Sequence, residues 1–302
     1  MSVQPQEALG RTLVGKAASA NYLLWPSLPE LFPFSESGVQ TSRDSALVDI
    51  DRSVLEARMA RYFDANVDDA TLVREVPALA IDASGFDAKA VRRELIARGI
   101  STGHVVRYAY RPFDVRWLYW HEETNLLTRK RPDYFPQVFD GNLWLLTTGR
   151  TRKGVPESPI AATRLTDLNF MDSGLRATPL MLRQAHGSLG GVASQIHPNV
   201  SEHAAVYLKQ INGTHDDLFF HSLAAMHSAT YLGANAGALR QDWPRVPLPA
   251  QLDVLRASAA LGREIAALLD TETPVPGVTS GTPRPELKSI ASVARLDGAP
   301  LA

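Results

Sequence analysis

The residues best placed to do chemistry lie between Arg107 and Lys153, where cations and aromatic rings alternate. This stretch holds Trp117, Trp120 and Trp144, three of the five tryptophans in the chain. Arg107, Arg111, Arg116, Arg129, Lys130, Arg131, Arg150, Arg152 and Lys153 face only Asp114, Glu122, Glu123, Asp133 and Asp140. Basic side chains interleaved with rings are what a nucleic-acid surface needs. The cations neutralise phosphates and release counterions, and guanidinium forks and planar groups read or stack on bases. The competing reading is structural, because Arg and Trp also pair in β-sheet cores through cation–π contacts and a charged strand face is often simply solvated.

Other constellations fail on spacing. Gly10-Arg-Thr-Leu-Val-Gly15-Lys16-Ala17 nearly matches a phosphate-binding loop, but Ala17 removes the hydroxyl that would hold magnesium and no apolar strand precedes Gly10. His215, His221 and His227 are six apart, which rotates successive rings by about 120° on a helix, so one face cannot present all three to a metal. A nuclease core would have to be forced from Asp133 and Glu286-Leu287-Lys288, the latter in a proline-rich tail. Neither a Gly-x-Ser-x-Gly elbow nor an Asn-Pro-Pro-Tyr/Phe methyltransferase site occurs, and Gly187-Ser-Leu-Gly-Gly191 is not a dinucleotide-type fingerprint. No catalytic constellation, metal site or cofactor site is therefore expected in this chain.

The elements that must position the basic stretch follow from patterning. At 302 residues the chain is long enough for a substantial core. Its net charge of −1 confines any polyanion site to a local patch. The absence of cysteine excludes disulfides, thiolate zinc sites and cysteine nucleophiles. No apolar run approaches a membrane span and the first thirty residues lack a signal pattern, so a cytoplasmic location without membrane contact is expected. Residues 1–46 read as irregular. The proline-punctuated run Leu23–Phe34 excludes a helix, its aromatics lie against a body, and Gln40–Asp44 forms an exposed turn. Amphipathic helices are predicted over Asp51–Asp64 and Phe86–Arg98, the second capped by Asp87 and ended by Gly99.

Strands are predicted at Val105–Tyr110, Asp114–Trp120, Asn142–Thr147 and around Pro159–Arg164, with others near Leu168 and Pro179. Period two in the hairpin puts Phe113, Val115, Trp117 and Tyr119 on a core face, and Asp114, Arg116, Leu118 and Trp120 on a face that meets a partner. A Gly/Ser/Gln-rich connector spans Arg183–Pro198. Helices follow at Val200–Ile211, from Thr214 through Tyr231 with a break at Asn235, and at Gln251–Asp270. The expected fold is α+β: an N-terminal irregular and helical segment (1–100), a β-rich recognition domain (101–190), a helical segment (199–270) and a disordered tail (271–302).

Several ordered motifs carry a resemblance. Tyr110-Arg-Pro-Phe-Asp-Val-Arg-Trp-Leu-Tyr-Trp120, Leu126-Leu127, Lys130-Arg131-Pro132-Asp133-Tyr134 and Val138-Phe139-Asp140-Gly141-Asn142-Leu143-Trp144 lie between two flanking motifs. The first runs Leu24–Pro29 with Ser42-Arg43-Asp44, the second Ala236–Pro249. Together they resemble the C-terminal specificity region of Type ISP-like restriction–modification enzymes and related adenine-specific DNA methyltransferases. The resemblance implies a target-recognition domain for double-stranded DNA in a phage-defence system. It also implies a partner, a methyltransferase and restriction module or subunit, which alone would bind S-adenosylmethionine. The chain is expected to be a fragment or a standalone specificity subunit without catalysis of its own.

The cations then expected at DNA are Arg111, Arg116, Arg129, Lys130, Arg131, Arg150, Arg152 and Lys153, with the turns Thr128–Arg131 and Gly149–Lys153 reaching phosphates or guanine edges. Two rival readings stay open. One is a docking module that binds a separate catalytic subunit without reading DNA. The other is an enzyme with an unfamiliar site among Asp114, Arg116, His121 and Glu122.

Overall fold

Local signals start and stop the helices as the sequence dictates. In the computed structural model, which describes residues 18–150, 157–171, 174–184 and 195–274, ten α-helices and nine strands form an α+β fold among those residues. The helices are α1 (Leu28–Leu31), α2 (Asp44–Leu47), α3 (Arg52–Phe63), α4 (Asp69–Glu75), α5 (Pro77–Ala80), α6 (Ala88–Arg98), α7 (Glu202–Ile211), α8 (His215–His227), α9 (Ala229–Leu239) and α10 (Leu252–Leu269). Asp51 accepts the N–H groups of Ser53 and Val54 to open α3, and Leu55, Met59 and Tyr62 make its buried stripe. Asp87 caps α6 by accepting from the Ala90 N–H, and Gly99 ends that helix at φ 81°.

The strands are β1 (Val48–Asp49), β2 (Val105–Arg111), β3 (Asp114–Tyr119), β4 (Trp144–Thr148), β5 (Ile160–Ala162), β6 (Leu165–Thr166), β7 (Leu175–Pro179), β8 (Met181–Arg183) and β9 (Ile196–Pro198). They form three sheets, ordered β1-β3-β2-β6, β5-β4-β7 and β8-β9. One apolar core joins α3–α6 to the four-stranded sheet. The other packs Tyr22, Leu28, Leu31 and Phe32 against α7–α10. Leu145, Ala161 and Leu180 reach the second core from the β-rich stretch.

Several expectations are corrected. The expected partner face of the β2–β3 hairpin is only partly open: Asp114 and Arg116 are half-buried, whereas Leu118 and Trp120 are buried. Arg52 of α3 sits 5.0 Å over the Trp117 ring and Phe63 meets Tyr119 edge-on at 5.8 Å, while Tyr108 and Leu118 are fully buried on the opposite side. Phe113 is not core: it sits at the hairpin tip, 64% exposed, at φ 63°. The run Leu23–Phe34 does contain a helical turn, α1, because Pro29 falls in the first turn where its missing N–H is not needed. Glu30 accepts from the Ser27 N–H at 2.6 Å to hold that turn.

Gln40–Asp44 is not an exposed turn either. Thr41 and Arg43 are buried, and the Arg43 guanidinium donates to the carbonyls of Thr41 and Leu126 and lies 3.6 Å over the Phe86 ring. Finally, the helix after Thr214 breaks at Ser228, not at Asn235. Ser228 is extended (ψ 123°) and caps α9 by accepting from the Tyr231 N–H, while Asn235 lies buried inside α9. The ends of the predicted connector pair as β8 and β9, and residues 185–194 between them, which include the glycine-rich run 187–191, lie outside the described residues. The phosphate-loop-like run 10–17 and residues 275–302 lie outside as well.

Candidate nucleic-acid interface

Antiparallel pairing of β4 with β7 places Thr148 opposite Leu175 and Thr147 opposite Arg176, so the turn after β4 meets the start of β7. Arg150 stands in that turn. Arg129 is brought to the same place by residues 37–40, whose Gln40 exchanges both backbone hydrogen bonds with Arg129 at 2.9 and 3.1 Å. The segment comes close because Gly38 has no side chain, since a Cβ there would fall 2.4 Å from the Asp167 backbone. The floor is set by Trp243, whose ring lies on Gly149, where a Cβ would sit 3.3 Å from it.

The result is a cleft of about 360 Å³ lined by Arg129, Arg150, Arg176, Ser37, Gln241 and Trp243, with Asp242 as its carboxylate. Arg129, Arg150 and Arg176 are exposed, and among the described residues none forms an ion pair. Asp242 lies 4.0 Å from Arg245, a residue outside the cleft lining. Three guanidiniums around one carboxylate give a local positive potential that the chain as a whole lacks. Such forks suit phosphate oxygens or the O6/N7 edge of guanine.

Among the other predicted cations, Arg111, Arg116 and Arg131 are paired with carboxylates elsewhere. Arg116 binds Asp114 through Nε at 3.0 Å and Nη2 at 2.8 Å and stacks on Tyr110, and its bond to Asp114 holds it more firmly protonated. Arg111 binds the buried Asp167 at 2.8 Å and lies over the same Tyr110 ring at 4.0 Å. Asp167 also accepts from the Tyr108 hydroxyl at 2.6 Å. Arg131 reaches the Gly38 carbonyl at 3.2 Å and Glu36 at 3.3 Å, and burial lowers its affinity for the proton. Lys130 contributes its carbonyl to the indole N–H of Trp120 at 2.7 Å. Arg152 and Lys153 lie outside the described residues.

Sequence patterning does not single out Arg176 or Trp243. Arg176 stands alone in an apolar strand, and only its β4 register reveals it. Trp243 enters only as part of the second flanking motif. The alternative site among Asp114, Arg116, His121 and Glu122 does not assemble. Asp114 opens β3 and His121 follows its far end, a separation of about 20 Å in extended chain. His121 packs instead on His104, ring centroids 4.7 Å apart, and burial pulls it down to about 4. His221 bridges the Ser258 hydroxyl and the Pro247 carbonyl, and His227 reaches the Pro159 carbonyl, so both serve packing.

The fold that carries this arginine-lined cleft is similar to that of solved proteins bound to DNA. The chain is similar in fold to a DrdV–DNA complex determined by cryo-electron microscopy (TM-score 0.60, 20% identity, 88% of this chain and 26% of that one). It is likewise similar to the ATP-dependent Type ISP restriction–modification enzyme LlaBIII bound to DNA (0.64, 17%, 87% and 18%). A third match is a nuclease-deletion mutant of the Type ISP enzyme LlaGI in complex with a DNA substrate mimic (0.57, 20%, 84% and 24%). The chain thus spans about a quarter or less of the solved proteins it matches. No curated protein is significantly similar to it. Residues 30–295 match the Type ISP C-terminal specificity domain, and the chain belongs to that family. The motif resemblance read from the sequence therefore stands. Among the described residues, no helix is long and apolar enough to cross a membrane.

Proposed function

We propose that this chain is the target-recognition part of a restriction–modification enzyme and that it holds duplex DNA at the Arg129–Arg150–Arg176 cleft. The observation that carries this reading is the convergence of three exposed guanidiniums, without ion-pair partners among the described residues, beside the Trp243 ring. The arginines neutralise backbone phosphates and set the register on the duplex, and the adjacent turn after β4 approaches the base edges. Methyl transfer and cleavage belong to a separate module or subunit. The sequence holds neither a Gly-rich cofactor loop nor an Asn-Pro-Pro-Tyr/Phe site, so S-adenosylmethionine is not fitted to this chain.

The test is binding of the full chain to a randomised duplex pool across a salt series, followed by selection and sequencing. Enrichment of one short motif is expected, with affinity falling steeply as salt rises. Arg129→Ala/Arg150→Ala/Arg176→Ala should weaken binding and flatten the log–log salt dependence by about 0.9 for each phosphate no longer neutralised. Unchanged affinity and slope in that variant would remove the cleft from the interface.

A further inference from the structure

A pair of arginines converges on a carboxylate at the edge of another groove. Arg107 comes from β2 of the four-stranded sheet, and Arg164 from the turn between β5 and β6. Both bind Glu272, which lies just past the end of α10: Arg107 through Nη2 to Oε1, and Arg164 through Nε to Oε2 at 2.8 Å. Each carboxylate oxygen thus takes one guanidinium, the arrangement two arginines adopt around a phosphate. Glu272 is presented by a tight local turn, because Asp270 accepts its N–H at 2.9 Å and the Thr273 hydroxyl at 2.6 Å.

The two arginines line a groove of about 530 Å³ that includes Phe135, Phe139, Asn142 and Asp140, and that Asp270 and Thr273 close on one side. Among the described residues, Glu272 is the only carboxylate ion-paired to Arg107 or Arg164. Were residues 270–273 displaced, both of the segment's carboxylates would go with them, and among the described lining residues Asp140 would be the one carboxylate left beside the two arginines.

We propose that Arg107 and Arg164 form a further phosphate-binding site for the DNA backbone, occupied in this state by Glu272 as an internal anion. The inference rests on the DNA-recognition reading, but it concerns different residues: this groove and the Arg129 cleft share no lining side chain. The segment after α10 and a DNA phosphate then compete for one pair of guanidiniums, which makes the Glu272 ion pairs a brake on non-specific binding.

The experiment uses the full chain, a fluorescent 20-base-pair duplex of mixed sequence, and a salt series. Glu272→Gln keeps size and removes the charge. It should bind the duplex about tenfold tighter at low salt, with a log–log slope steeper by about 0.9 for the added phosphate. Asp270→Asn/Glu272→Gln should show at least the same gain. Adding Arg107→Gln and Arg164→Gln to Glu272→Gln should abolish the gain, and Glu202→Gln, the same change in charge at an exposed site outside both clefts, should not reproduce it, which separates a local site from a simple change in net charge. An affinity of Glu272→Gln equal to or below wild type, whether or not wild type binds, overturns the proposal. So does a gain that survives loss of both arginines. The Arg129/Arg150/Arg176 variant, measured alongside, reports on the first cleft alone, so failure of the two readings is distinguishable. Thermal melting of each variant confirms that the fold is retained.

Discussion

A guanidinium attracts a polyanion in proportion to the charge its own neighbours leave uncompensated. Arg116 is clamped by both oxygens of Asp114 and stacked on Tyr110, so its charge is matched within the hairpin. Arg129, Arg150 and Arg176 have no such partner among the described residues. The two kinds of arginine should therefore fail differently. Arg116→Ala is expected to lower stability by no more than about 1 kcal/mol, because the pair is partly solvated, and to leave the salt dependence of duplex binding unchanged. Paired denaturant melts and salt titrations check both halves. A flattened slope in Arg116→Ala would extend the interface to the hairpin.

At the scale of elements, α8 and α10 are the most closely packed pair of helices. Gly262 of α10 faces the Phe220 carbonyl so closely that a Cβ would fall 1.9 Å from it, which gives these helices their close approach. The same pair is tied by Asp217 of α8. Its carboxylate accepts from Arg263 of α10 at 2.9 Å, and its N–H donates at 3.1 Å to the Thr214 hydroxyl that caps α8. Burial alone would raise the Asp217 carboxyl, but its bonds from Arg263 and Thr214 outweigh burial and hold it below the usual carboxylate range. A carboxyl depressed on folding contributes stability that is complete above its unfolded value, near 4, and is lost as pH falls through the lower folded value. The stabilities of wild type and Asp217→Asn should therefore differ at pH 7, by roughly 2 kcal/mol, and converge as pH falls below the depressed folded value. A gap that persists in acid would assign the effect to packing.

For the whole molecule, the decisive feature is that residues far apart in the chain complete each other's cores. Tyr22, Leu28, Leu31 and Phe32 are buried against the C-terminal helices, with Phe32 edge-on to Phe219 at 5.8 Å and Trp25 stacked on Tyr231 at 6.3 Å. Each such side chain contributes about 1.5–3 kcal/mol on burial, and a domain has only about 5–15 kcal/mol in total. Removal of residues 1–34 is expected to uncover α7–α10 and leave the product aggregated or loosely folded. Size-exclusion chromatography and near-ultraviolet circular dichroism would show it. A monodisperse truncated chain with native aromatic signals would mean that the N-terminal segment only decorates the surface.

Caps and periodicities act over four to seven residues, and the parts of this fold they govern are legible in the sequence. Asp51 and Asp87 open their helices, Gly99 closes one, and Thr214 caps another. The ordered motifs from Tyr110 to Trp144 are equally plain, and they carry the family. Local rules misjudge Ser228, whose extended backbone breaks a helix that its composition would continue, and Phe113, which strict alternation places in the core instead of at a turn. What only the tertiary structure decided is which cations share a place. Residues 37, 129, 150, 176 and 243 meet because β4 pairs with β7 and residues 37–40 bridge to Arg129, and Arg107, Arg164 and Glu272 meet because α10 ends beside two sheets. Neighbouring arginines in the sequence are meanwhile sorted into bound and free by partners distant in the chain, such as Glu36 for Arg131. Charge pairing depends on distance through space, and only strand register and helix packing set that distance.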